Sequence, residues 1–357
     1  MTALDEYERL GDCELLEPIA IGAHGEIHLA RIGGEGGELV AVKRLLPELL
    51  RKRSAVNSFF DEIRVCKLLV HPNIVRVYRG DVDGDQPYYV MEFVDGVTLW
   101  EVVEEARRAG LPVPIEVAVH IVTMIGEALS YAHKLLDEKR RPVRLVHRDV
   151  STVNVMISFD GAVKLLDFGI ARSTLRQEET APGIIRGKPQ YLSPEQASQG
   201  VIDHLTDIYS LGIVFFELLT AQRPFADDDV FRLLERILEG KRPKVRTLRP
   251  DIDDSLEAIV DRAMALHREE RYQSARQVVT DLRAYQRTHP ASGTTSKLAE
   301  LVRRLFPDRL SLVAERYGPP EITAVDTMMP EAGEPLLPGP EDPTLPDPED
   351  QALPEVE

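Results

Sequence analysis

The strongest constraint on this 357-residue chain is a change of hydrophobic period partway along it. In the first hundred residues the apolar positions come in short runs, 15–19, 26–31 and 39–45, broken by Gly33-Gly34 and Gly36-Gly37, a pattern of strand and turn. Helical spacing appears at Phe59, Ile63, Cys66 and Lys67, ahead of a turn at His71-Pro72-Asn73. Residues 74–78 and 88–93 return to strand, joined by Asp83-Gly84-Asp85. From about Pro114 the step becomes three or four: Ala118, Val122, Ile125, Leu129, Ala132 and Leu136 form one apolar stripe. Residues 206–220 are apolar on nearly every side and predict a buried helix, and 227–239, 255–266 and 274–285 predict three more. Strands first and helices afterwards exclude an alternating parallel sheet and predict an α+β fold of two lobes, with no internal repeat.

The pattern stops near the C-terminus. Residues 319–357 hold eleven acids, no Lys or Arg, and ten of the 25 prolines. Such a segment buries too little apolar surface to offset its ordering entropy and predicts a disordered acidic Pro-rich tail. The simplest role is a solvated, solubilising one, with docking of a partner as the functional alternative. Ahead of it, residues 294–318 predict a helical extension. There Ser296 is a possible cap, and Leu298, Leu301, Val302, Leu305 and Phe306 share one face before Pro307.

Charge narrows the function classes. Lys and Arg number 43 against 60 Asp and Glu, a formal charge of −17, of which −6 belongs to residues 1–318. That balance argues against nucleic-acid binding, which needs basic surface to displace counterions from phosphates. Cys13 and Cys66 are too few for a disulfide framework and fit a reducing compartment. The N-terminus lacks the apolar run of a signal peptide, and no uninterrupted apolar run approaches the roughly 18–20 residues of a membrane span. The expectation is a soluble cytoplasmic protein.

The chemistry-bearing residues come in order. Gly22 and Gly25, between two strands, allow backbone amides to approach phosphate oxygens closely, although a plain hairpin turn has the same composition. Lys43 then stands alone in an apolar strand, where a buried ammonium needs an anion. Glu62 on the following helix is suited to be that partner, with a surface salt bridge as the bland alternative. Asp149 and, five residues on, Asn154 provide a proton acceptor and an amide oxygen. Asp167, ending an apolar strand, adds a carboxylate suited to Mg²⁺. His147 reads as a core histidine and Cys66 as an inward-packed residue on the face of Glu62.

From about Leu10 to Arg287 this succession resembles the eukaryotic-like (Hanks-type) serine/threonine protein kinases of bacteria. The landmarks are Gly22 and Gly25, Val-Ala-Val-Lys43, Glu62, His-Pro-Asn73, Val-Met91-Glu92, His-Arg-Asp149, Asn154, Asp167-Phe-Gly, Ser-Pro-Glu195, Asp207 and Arg271. The resemblance implies a bilobal kinase domain over residues 10–288, with a β-rich N-lobe at about 10–93, a helical C-lobe at about 97–288, and ATP between them. It implies that Lys43 binds the α- and β-phosphates and pairs with Glu62, that Asp149 is the catalytic base, and that Asn154 and Asp167 hold Mg²⁺. It also implies a nucleotide pocket of Ile21, Gly22, Gly25, Ile27, Ala41, Lys43, Met91, Glu92, Val94 and Met156, with Met91 as gatekeeper and Glu92 and Val94 on the hinge. Glu195 and Arg271 match an ion pair tying the activation segment to the helical lobe, and Asp207 an acid bracing the catalytic loop. The implied activity is transfer of the ATP γ-phosphoryl to Ser/Thr of proteins, in signalling with autophosphorylation.

Three residues depart from the pattern. Ala20 stands at the first glycine position, Ser151 where such kinases usually carry lysine, and Lys188 where they usually carry threonine. An arginine two or four residues after the base, usual in tyrosine kinases, is replaced here by Ser151 and Val153. Lys188 is therefore expected to supply the charge that Ser151 lacks. Arg148 is suited to bind a phosphate on the activation segment, with Thr180 first and Thr174 and Ser173 as alternatives. The rivals are a pseudokinase scaffold that binds partner proteins and a small-molecule phosphotransferase. The first usually lacks the residues named above, and the second lacks the Ser-Pro-Glu195 segment.

Overall fold

The structure, a computed structural model, describes residues 7–22, 25–34, 36–110, 113–137, 139–168, 189–291, 294–310 and 312–318. Its first part is a six-stranded antiparallel sheet: β1 (Arg9–Leu10), β2 (Cys13–Ile21), β3 (Gly25–Ile32), β4 (Glu38–Leu45), β5 (Val77–Asp83) and β6 (Gln86–Glu92). The spatial order is β1-β2-β3-β4-β6-β5. Strand alternation divides β4 between two cores. Val40 and Val42 pack with Leu10, Cys13, Leu15 and Val90 on one side. Ala41 and Leu45 pack with Phe59, Phe60 and Ile63 on the other, where helix α1 (Arg53–Lys67) lies. Lys43 has the parity of Ala41 and Leu45, so strand geometry turns it toward α1.

The second part is helical: α2 (Leu99–Arg108), α3 (Ile115–Ala132), α4 (Pro194–Ala197), α5 (His204–Thr220), α6 (Val230–Glu239), α7 (Val245–Leu248), α8 (Asp254–Ala263) and α9 (Ala275–Thr288). Every residue of α5 from Leu205 to Leu219 is buried, as expected of a helix apolar all round. A small sheet, β7 (Gly96–Thr98), β8 (Val155–Ser158) and β9 (Val163–Leu165), lies in this lobe. By length and composition α3 could cross a membrane, but here it packs in the centre of the lobe.

Several expectations need correction. Residues 74–76 are not strand; Ile74 makes only an isolated bridge to Leu165, and β5 begins at Val77. Helix α2 was absent from the expectation, although Leu99, Val102, Val103 and Ala106 have helical spacing and are buried. Its charged face masked a short stripe. Thr98 and Glu101 close a capping box at its start. Ser296 is not a cap: it lies inside α10 (Thr294–Leu305), whose buried face includes Leu298, Leu301 and Val302 as expected. The acidic tail, residues 319–357, lies outside the described residues.

Candidate active site

The first half of the site is a product of strand register. Lys43 is paired across the sheet with Ile27 on β3 and Tyr89 on β6. Its Nζ lies 2.7 Å from Glu62 Oε1 on α1 and 3.7 Å from Asp167 Oδ1. Burial pulls the Lys43 pKa down, but the Asp167 and Glu62 carboxylates outweigh it and hold the ammonium above the ordinary lysine range. Tyr89 OH donates to the same Glu62 oxygen at 2.9 Å. Sequence reasoning missed Tyr89, although its place opposite Lys43 follows once the strands are paired.

The two glycines differ in their demands. A Cβ on Gly25 would lie 2.6 Å from the Arg44 carbonyl oxygen, so close pairing with β4 requires glycine there. At Gly22 the nearest atom to such a Cβ is 3.5 Å away, and its amide donates to Gly25 O at 2.8 Å, closing the turn. Ala20, exposed on β2 beside a register shift after Pro18, pairs with Ile27. Among the residues expected to line a nucleotide pocket, Ala41 pairs with Met91, and both are buried. The Glu92 carboxylate accepts from Arg76 N at 3.1 Å and meets Lys164 Nζ at 2.5 Å. Those contacts engage the side chain of Glu92, a use the sequence did not announce. Val94 and Ile27 are half-buried beside the α1-side core, Met156 is half-buried on β8, and Ile21 is exposed.

The other half hangs on the β8–β9 hairpin. Val155 pairs with Leu165, so Asn154 before one strand and Asp167 beyond the other emerge at the same end. Leu166 N donates to Asn154 O at 2.9 Å. Asn154 Nδ2 donates to both the carboxylate and the backbone carbonyl of Asp149, each at 2.7 Å. With its nitrogen so used, Asn154 has its amide oxygen to offer a cation. That oxygen and the half-exposed Asp167 carboxylate form a hard donor set suited to Mg²⁺, which takes few protein ligands and completes its shell with phosphate and water oxygens. Arg148 (φ 66°) and Asp167 (φ 38°) both adopt left-handed backbone, uncommon outside glycine, and such residues cluster at functional sites.

Asp207 holds this loop. Buried on α5, it accepts from His147 N, Arg148 N and His133 Nε2, each at 2.8 Å. Burial raises the Asp207 pKa, but the His133 hydrogen bond and the neighbouring charges and amides bring it below the usual carboxylate range. His147 is fully buried, with Nε2 donating to Leu166 O at 2.8 Å, which ties the loop to β9 and bears out its reading as a core residue. Farther along, Gln196 Nε2 donates to Arg148 O at 3.0 Å, and Arg271 grips Glu195 with two bonds of 2.8 and 2.9 Å. Thr152, Tyr191 and Glu217 form a buried chain of hydrogen bonds under the loop. His133, Thr152, Tyr191, Gln196 and Glu217 carried no signal in a single sequence. Lys188, Thr180, Thr174 and Ser173 lie outside the described residues.

Comparisons with known proteins agree with the two-lobed fold. The protein kinase domain family profile matches residues 13–282. Tyrosine-protein kinase MasK of Myxococcus xanthus is 35% identical over 83% of this chain and 46% of MasK. Serine/threonine-protein kinase PknB of Mycobacterium tuberculosis is 36% identical over 75% of this chain and 42% of PknB. This chain therefore aligns with under half the length of these curated relatives. Among solved structures, the kinase domain of Mycobacterium tuberculosis PknI superposes with a TM-score of 0.58 at 25% identity, covering 79% of this chain and 99% of that domain.

Proposed function

The chain belongs to the protein kinase domain family, and from that premise we propose that it transfers the γ-phosphoryl group of ATP to serine or threonine hydroxyls of proteins. One observation carries the reading: contacts join the Asp149 carboxylate to Asn154 on the loop before β8, and Asp167 beyond β9 to the Lys43–Glu62 pair of β4 and α1. In this reading Asp149 accepts the proton of the attacking hydroxyl and, through Asn154, stays aligned with the metal-binding side. Asn154 and Asp167 hold Mg²⁺, which neutralises charge on the transferring phosphoryl group when bound. Lys43, fixed by Glu62, steadies the α- and β-phosphates. Positioning and charge are what this transfer chiefly requires.

A scaffold without catalysis finds no support, since Lys43, Asp149, Asn154 and Asp167 are all present. Tyrosine as acceptor is a second reading, favoured by the likeness to MasK. Ser151 and Val153 speak for serine or threonine, because neither supplies the arginine usual after the base in tyrosine kinases. Incubation of the full chain with γ-labelled ATP and Mg²⁺, followed by phosphoamino-acid analysis, separates the three. Label on Ser or Thr, lost in Asp149→Asn, supports the proposal. Label on Tyr favours the second reading. Nucleotide binding with no label on the chain or on added protein substrates returns the scaffold.

A further inference from the structure

The C-terminal extension touches both lobes. Its helix α10 is seated on the helical lobe through buried Leu298, Ala299, Leu301 and Val302. A Cβ on Gly161, in the β8–β9 turn, would lie 2.4 Å from the Thr295 carbonyl oxygen, so helix and turn are in direct contact. Arg303 Nε donates to Phe159 O at 2.8 Å, and Lys297 meets Glu116 at 3.1 Å. One turn farther, Arg309 lies 2.6 Å from Glu101 Oε1, whose other oxygen closes the capping box at Thr98, just past the interlobe connection.

The chain then crosses to the sheet. In α11 (Leu312–Tyr317), Arg316 lies 2.7 Å from Glu17 Oε2 on β2. Arg31 Nη2 on β3 donates to the Tyr317 carbonyl at 3.2 Å, and its guanidinium carbon lies 6.0 Å from the centre of the Tyr317 ring. β2 and β3 are the strands that flank Gly22 and Gly25.

We propose that residues 294–310 and 312–318 form an interlobe strap, a second connection beside residues 92–96, that slows opening of the cleft and exchange of nucleotide. The proposal rests on reading the cleft as a nucleotide site. A lone connecting segment lets one lobe rotate on the other; a tether attached away from that axis removes part of the freedom. The two attachments differ in kind. The C-lobe end is apolar and buried, hence lasting, whereas the sheet end rests on one half-exposed ion pair that salt screens and on the polar contact of Arg31 with Tyr317. The strap is therefore anchored at one end and releasable at the other.

Stopped-flow release of a fluorescent ADP analogue from the full chain tests this. Arg316→Glu and Glu17→Arg should each release it faster, by up to ~5-fold, the upper end for an exposed pair. The double variant Glu17→Arg/Arg316→Glu should return to within about twofold of wild type, and salt should speed the wild type more than either single variant. Singles that release at the wild-type rate, or a double variant no slower than the singles, would overturn the strap. Should no variant bind the analogue, the nucleotide reading fails instead. Hydrogen exchange over residues 13–21 and 312–317 then decides the strap alone: faster in the singles and restored in the double variant supports it, and unchanged exchange refutes it.

Discussion

Lys43 and Glu62 meet at 2.7 Å, from a strand and a helix that share no local sequence, because period-2 alternation in β4 and helical spacing in α1 turn both residues toward the same buried seam. The pair is charged on both sides yet largely hidden from water. Such a pair adds little net stability over apolar residues of the same size. Its expense is explained by position: it places a permanent cation 3.7 Å from Asp167.

Glu62→Gln keeps the shape and removes the charge. Lys43 should then lean toward Asp167 and leave its place over the phosphates, lowering kcat by about 10²–10³. Tyr89→Phe removes one charge-assisted hydrogen bond to the same carboxylate but keeps its ion pair with Lys43, and should lower kcat less than Glu62→Gln does. Steady-state kinetics on both variants check the ranking; equal losses would show that orientation of Glu62, not its charge, matters.

The Glu195–Arg271 pair predicts acid sensitivity. Burial raises the Glu195 pKa, but two bonds from Arg271, with Thr206 beside them, hold it below the usual carboxylate range. The folded value thus lies below the unfolded one. The contribution of Glu195 to stability is fully present above the unfolded value of about 4.3 and is lost as pH falls through the folded value. Glu195→Gln should lower stability near pH 7 by about 3–5 kcal/mol, because Arg271 is left buried without its anion. Its Tm should also fall less steeply than wild type between about pH 5 and 3. Parallel Tm–pH curves would refute the assignment.

How far the sequence reaches depends on range. Lys43, Asp149, Asn154 and Asp167 were legible because motif spacing marks them, and two lobes followed from the change of hydrophobic period. The boundary at Val77 was not, since strand pairing sets it rather than local propensity. His133, Tyr191 and Glu217 were invisible for a similar reason. Each is an unremarkable residue on a helix or turn until the fold carries it beneath the catalytic loop.

We propose that the activation segment is phosphorylated, in view of the way Arg148 is held. Its amide is bound by Asp207 and its carbonyl by Gln196, on backbone in the left-handed region. A guanidinium on so fixed a base is suited to bind a phosphate bidentately. Active enzyme should carry phosphate at Thr180, or else at Thr174 or Ser173, by mass spectrometry. Phosphatase treatment should lower activity in the wild type and leave Arg148→Gln unchanged. Fully active enzyme without phosphate in residues 173–180 would refute the assignment.

Ser151 and Lys188 pose the last question. Ser151 is fully buried, and its carbonyl accepts from Asn154 N at 3.0 Å, so the position lies inside the turn that joins Asp149 to Asn154. A serine there brings no charge to the transferring phosphoryl group, where related kinases supply a lysine. In the sequence Lys188 immediately precedes Pro189, and Tyr191, two residues farther on, has its hydroxyl 2.7 Å from that of Thr152, one residue beyond Ser151. We propose that the Lys188 ammonium takes the place of the missing lysine. Lys188→Thr should then lower kcat by about 10²–10³ with little change in ATP affinity, since the contact is made chiefly in the transition state. Adding Ser151→Lys should restore much of the loss, a strongly non-additive double-mutant cycle. Because Ser151 is buried, the double variant needs a Tm within a few degrees of Lys188→Thr for its kinetics to count. Near-normal kcat in Lys188→Thr, or a stable double variant without rescue, would assign Lys188 to the protein-substrate surface instead.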